Sequence, residues 1–112
     1  MVAFPPGIRT MVILWTMPGC GHCHQFRPIF TGYLDKPSPV YGKSWRRALG
    51  EDYGVAVFEG NAAQRCNQVM CNTHQVNVTP TLLVVHSDGR SWKVEGEIDE
   101  ARLHGVFMSA CR

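Results

Sequence analysis

Residues Met11-Val12-Ile13-Leu14-Trp15 form an unbroken apolar, β-prone run, and no other stretch restricts the fold as strongly. A strand with one wet face alternates apolar and polar side chains, whereas an unbroken run needs cover on both faces. The run is too short to span a bilayer, which takes about 20 apolar residues. It therefore calls for a buried sheet strand with layers above and below it. The chain has 112 residues, which suits one domain over residues 1–112. Folding at that size removes about two-thirds of the surface from water, enough for a core without staples. With 45% hydrophobic and 18% charged residues the chain is of the globular class. A net charge of +2 gives no basis for binding nucleic acid or an acidic membrane surface. Pro5, Pro6 and Gly7 interrupt the first ten residues, which hold no apolar stretch of the secretory-leader type. The expectation is a monomeric cytoplasmic protein.

The rest of the chain supplies the layers. Phe26, Ile29, Phe30, Tyr33 and Leu34 recur at helical spacing beyond Gly21. Pro28 falls within that helix, removes one backbone donor and should kink it. Asp35 to Gly50 holds Pro37, Pro39 and Gly42 and reads as an inserted loop followed by a short helix, with Ser44 as N-cap and Gly50 as its stop. Gly54 to Phe58 is a second buried strand. Asn61 then caps a helix carrying Ala62, Ala63, Cys66, Val69, Met70 and Thr73 on its apolar stripe. Thr81 to Val85 and Ser91 to Glu95 are strands joined by the hairpin residues Ser87-Asp88-Gly89-Arg90. Asp99 caps a last helix with Leu103, Val106, Phe107 and Ala110 on one face. The order βαβαββα gives an α/β fold, a mixed four-stranded sheet with helices on both faces.

Chemistry concentrates in Cys20-Gly21-His22-Cys23, at the start of a helix that follows a buried strand. Free N–H groups and the positive end of the helix dipole favour an anion there. The thiolate is the reacting form, so Cys20 is the expected nucleophile. Cys23, one turn inward, is the expected resolving thiol. Gly21 permits close approach. His22, when protonated, would favour the thiolate and so a more oxidising couple.

Other chemistries use similar strings. Cys-x-x-Cys is half of many zinc sites, and Cys20 to His24 also spells the haem c attachment string. A zinc or cluster site would have to recruit Cys66 or Cys71, which lie beyond a helix, an insertion and a strand. Haem attachment needs export, for which no leader is evident. A second clue is Val78-Thr79-Pro80-Thr81-Leu82, a proline opening a buried strand. Proline there forfeits a ladder donor. A cis Thr79–Pro80 bond would account for it and would turn the Thr79 backbone outward towards an extended substrate; a trans proline at the strand start is the simpler alternative.

In this order, the Cys20-Gly21-His22-Cys23 motif, Pro28, Thr79-Pro80-Thr81 and Gly96 before the last helix resemble the thioredoxin superfamily over about 80 of the 112 residues. The resemblance implies a dithiol–disulfide oxidoreductase with a redox-active Cys20–Cys23 disulfide and cis Pro80 beside it. The Cys-Gly-His-Cys motif is similar to that of protein disulfide isomerases. It further implies disulfide-containing protein substrates, and electrons from a thioredoxin reductase or glutathione, with no bound cofactor or metal. Three features depart from the pattern. Leu14 stands where the family usually has a buried acid that serves proton transfer, and Gly19 where it usually has Trp. The short segment before Met11 is more like glutaredoxin. A redox-dead adaptor that binds partners through the Pro80 groove is a further alternative.

The remaining candidates have bland readings. An odd count of five cysteines leaves at least one thiol outside any intrachain pairing. Cys66 on the apolar stripe is expected to be a buried, inert thiol, with Cys71 and Cys111 as bystanders. His24 suits an exposed helix surface or a tuning role. Arg46 and Arg47 suit a solvated face or a docking patch.

Overall fold

The computed structural model describes residues 4–112; the first three, part of the segment read as lacking a leader, lie outside the described residues. Strand β1 (Thr10–Thr16) is followed by helices α1 (Gly21–Asp35) and α2 (Trp45–Asp52), then strand β2 (Val55–Asn61) and helix α3 (Gln68–Thr73). Strands β3 (Thr81–His86) and β4 (Ser91–Glu95) and helix α4 (Glu100–Ala110) complete the chain. The sheet order is β2-β1-β3-β4. β1 runs parallel to β2 and antiparallel to β3, and β4 adds an antiparallel edge. This is the expected mixed α/β sheet with helices on both faces.

β1 is central and buried on both sides. Val12 and Leu14 face a core built with Phe26 and Phe30 of α1, Trp45 and Leu49 of α2, and Leu103 and Phe107 of α4. Met11, Ile13 and Trp15 face the other core, with Cys71 of α3, Leu83 and Val85. α1 runs unbroken through Pro28, whose ring lies on the exposed face. Ser44 and Asp99 cap their helices as expected, each side-chain oxygen accepting a backbone N–H three residues on.

β2, expected to be buried and to end at Phe58, lies at the sheet edge with only Val55 fully buried and runs on to Asn61. Two further boundaries differ from the sequence reading. α2 passes through Gly50 and ends at Asp52, with Tyr53 as its cap. The stop is Gly54, at φ +68°, where a Cβ would come within 3.1 Å of the Gly7 carbonyl oxygen. Chain reversal, and not the first available glycine, decides where the helix ends. The second difference follows β2. Asn61 is the last residue of β2, and its Oδ1 accepts the Ala63 N–H at 2.8 Å, which closes a turn where the sequence suggested a helix. A 3₁₀ turn at Arg65–Asn67 precedes α3. The tighter winding rotates the stripe. Cys66 is therefore exposed, against expectation, and Cys71 is the buried thiol.

Trp15 lies across Gly60, its register partner on β2. A Cβ at Gly60 would sit 2.4 Å from the indole ring. Gly60→Ala should cost about 1–3 kcal/mol through overpacking, read as a lower urea midpoint; an unchanged midpoint contradicts this packing.

At the opposite end of β1, Thr10 pairs with His86 on β3, Oγ1 to Nδ1 at 3.0 Å. Burial first, and then the Arg90 charge, hold the His86 pKa below its ordinary value. The folded protein thus resists a proton that the unfolded chain accepts near pH 6.5. Stability should fall as pH drops from 7 to 5, and His86→Gln should flatten that part of the profile. An equal acid sensitivity in the variant, measured by denaturant titration, contradicts this source.

Candidate dithiol site

β1 delivers the chain to the turn Met17-Pro18-Gly19 at one end of the sheet. Gly19 has φ +78°, a backbone region that a large side chain such as Trp disfavours. The Cys20 N–H donates to the Met17 carbonyl at 3.2 Å, which closes the turn. Cys20 is then the N-cap of α1, with extended backbone at φ −81° and ψ 106°. Its Sγ accepts the Cys23 N–H at 3.2 Å, and its carbonyl accepts the His24 N–H at 3.1 Å. A sulfur thus occupies the place where Ser or Asp oxygen usually meets the unpaired N–H groups of a helix start.

Cys20 and Cys23 are joined by a disulfide, with Cα atoms 5.2 Å apart. Cys20 is half-buried at the edge of an open cavity of about 570 Å³, whereas Cys23 is only 3% exposed. The Thr79–Pro80 peptide is cis. Pro80 is buried, and the Thr79 carbonyl oxygen lies 3.5 Å from Cys20 Sγ. Register places the two segments side by side, because Trp15 near the end of β1 pairs with Thr81 at the start of β3. Among the described residues no backbone partner engages the Thr79 N–H. Met17 and Val78 remain 45% and 48% exposed on the two segments that meet at Cys20.

Gly21 is not required by contacts within the chain, since a Cβ there would meet nothing within 4 Å. Its openness leaves room only for something arriving from outside. His22 is exposed, and its Nδ1 lies 2.7 Å from the Oε1 of Glu97, in the loop between β4 and α4. Glu97 went unnoticed in the sequence because its partner is 75 residues away and no spacing rule links them. Leu14 is fully buried among apolar side chains, so β1 brings no carboxylate beneath the dithiol. His24 is exposed on α1. Arg46 and Arg47 are both exposed on α2, and Arg47 pairs with Glu51 at 3.1 Å.

The other cysteines stand apart. Cys71 packs on the sheet face opposite α1, and burial pushes its thiol pKa up. Cys66 lines an open groove with Val69, Val85 and His86, at the end of β3 away from Pro80. Cys111 caps the end of α4, its thiol pKa also raised by burial. Among the described residues no group of three His, Cys, Asp or Glu side chains is placed to hold a metal ion. Among the same residues no helix is long and apolar enough to cross a membrane.

No protein-family model matches the sequence, and no curated protein sequence does. Solved structures do match. The thioredoxin of Malassezia sympodialis aligns at 17% identity and TM-score 0.68 over 93% of this chain and 79% of its own. The first thioredoxin domain of mouse protein disulfide-isomerase A4 aligns at 16% identity and TM-score 0.67 over 100% of this chain and 81% of its own. Thioredoxin O2 of Arabidopsis thaliana, in its oxidized state, aligns at 18% identity and TM-score 0.62 over 95% and 78%. The chain has a thioredoxin fold. Within that fold its Cys-x-x-Cys pair stands at the start of α1, facing a cis proline.

The difference in burial between the two sulfurs predicts their order of reaction. After reduction, Cys20 should be alkylated by iodoacetamide at least about tenfold faster than Cys23, read peptide by peptide by mass spectrometry. Equal rates would contradict the geometry.

Proposed function

We propose that the chain is a thiol–disulfide oxidoreductase acting on protein disulfides. The observation that carries this reading is the Cys20–Cys23 disulfide at the N-terminus of α1, with Cys20 accessible beside the Thr79–Pro80 segment. In the reduced form, Cys20 loses a proton to become a thiolate, favoured by the Cys23 N–H and the helix dipole. The thiolate attacks one sulfur of a substrate disulfide. The substrate S–S bond breaks, a mixed disulfide forms, and the departing thiolate takes up a proton. Cys23 then gives up its proton and attacks Cys20 Sγ. The mixed disulfide breaks, the second substrate thiol leaves protonated, and the Cys20–Cys23 disulfide remains. Two electrons have passed from the dithiol to the substrate, and an external thiol system restores the dithiol.

An extended substrate strand can pair with the Thr79 N–H and carbonyl while Met17 and Val78 meet its apolar side chains. This arrangement supports disulfide-containing proteins as substrates; the source of electrons proposed here is glutathione or a thioredoxin reductase. A cytoplasmic, monomeric oxidoreductase with no bound cofactor is the form proposed. His22 draws the couple towards the oxidising side, whereas the cytoplasm calls for a reductase. The expected potential therefore lies between the values of about −270 mV for thioredoxin and about −180 mV for protein disulfide isomerase.

Two measurements test the reading. The protein should accelerate reduction of insulin disulfides by dithiothreitol, and Cys20→Ser should return the rate to the uncatalysed background. Full activity in Cys20→Ser overturns the proposal. A wild type that binds partners without any turnover would mark an adaptor instead. Titration of tryptophan fluorescence against glutathione buffers gives the potential, and a value outside the stated interval contradicts the assigned role of His22.

A further inference from the structure

The loop after β4 reaches the dithiol from an element that has no cysteine in it. Gly96, at φ +85°, turns the chain out of β4, and its N–H donates to the Pro80 carbonyl at 2.8 Å. The next residue, Glu97, places its carboxylate 2.7 Å from His22 Nδ1. His22 lies between the two cysteines, in the first turn of α1. Glu97 thus follows a residue bonded to the Pro80 segment, and its carboxylate meets the dithiol helix at His22. We propose that Glu97 is a positioning residue that sets the redox equilibrium of the Cys20–Cys23 pair through His22. The inference rests on the oxidoreductase reading above and assigns to it a residue outside the motif.

The physical basis is a competition between two effects of one charge. Acting directly, a carboxylate near the dithiol disfavours the Cys20 thiolate and so the reduced form. Acting through His22, it accepts the Nδ1–H and holds the ring in one orientation beside the dithiol. A ring held there favours the thiolate, and so the reduced form, whenever it carries a proton. The 2.7 Å contact with His22 is the observation that favours the second effect. Most of the surrounding charged groups have partners of their own. Lys93 and Glu95 on β4 face each other at 3.9 Å, Asp99 caps α4, and Glu100 pairs with Lys36. His24 follows His22 by two residues in the first turn of α1, and Arg27, about one turn further on, pairs with Glu59 at 3.3 Å.

The sign of the change distinguishes the two effects. Wild type, Glu97→Gln, His22→Gln and the double variant are equilibrated with glutathione buffers at pH 7, and the reduced fraction is read by alkylation of Cys20 and Cys23. Glu97→Gln should lower the equilibrium constant for the reduced form by about two- to fivefold, the range of an exposed ion pair. In the His22→Gln background the same substitution should produce no decrease. An unchanged or raised constant in Glu97→Gln, or an equal decrease in the absence of His22, overturns the assignment to Glu97. A wild type that does not titrate with glutathione at all overturns the oxidoreductase reading itself, so the two failures are separable.

Discussion

Cys20 caps α1 with its own sulfur, and the rest of the site is arranged around that contact. The Cys23 N–H, one of the donors that every helix start leaves unpaired, points at Cys20 Sγ. The sulfur can hold that place because β1 is buried on both faces and leaves the sheet at one fixed point. Gly19 then turns the chain directly into the helix. The neighbouring antiparallel strand opens at the same edge, which brings Thr79 and Pro80 to the sulfur from 59 residues away. The site is thus a consequence of sheet order, with one helix start and one strand start meeting across adjacent strands.

The same sheet divides the five cysteines. Cys23 lies on α1, whose apolar side chains pack on one face, and Cys71 packs on the other. Cys66 opens onto a groove at the far end of β3. A metal module drawing on Cys20, Cys23 and either of these would need ligands to reach through or around a layer of buried valines and leucines. A dithiol couple needs only the two sulfurs already joined. The odd cysteine count follows directly, because the remaining thiols have no structural bond to make.

Much of this was legible in the residues. The unbroken run at Met11 to Trp15 specified a strand covered on both faces, and the spacing of Phe26, Phe30, Tyr33 and Leu34 specified the buried stripe of α1. Ser44 and Asp99 announced their helices because capping is local chemistry. The segment after β2 was misread for an equally local reason. Asn61 is as good at closing a turn as at capping a helix, and nothing nearby in the sequence distinguishes the two. One extra turn of 3₁₀ geometry then put Cys66 in the open and left Cys71 as the buried thiol. Glu97 was beyond sequence reasoning altogether, since its meaning comes from a contact between the first helix and the last loop. Gly19 was read as a departure from a pattern, and the structure supplies its cause in a left-handed backbone.

The central claim is that Cys20 attacks and Cys23 resolves. It is tested most directly by trapping with glutathione disulfide, with adducts located on tryptic peptides so that Cys66, Cys71 and Cys111 are read separately. In the reduced Cys23→Ser variant, glutathione should accumulate on Cys20 as a stable mixed disulfide. In the wild type the same adduct should be transient and give way to the Cys20–Cys23 disulfide. An adduct on Cys20 that persists equally in both proteins, or none on Cys20 in either, would contradict the account.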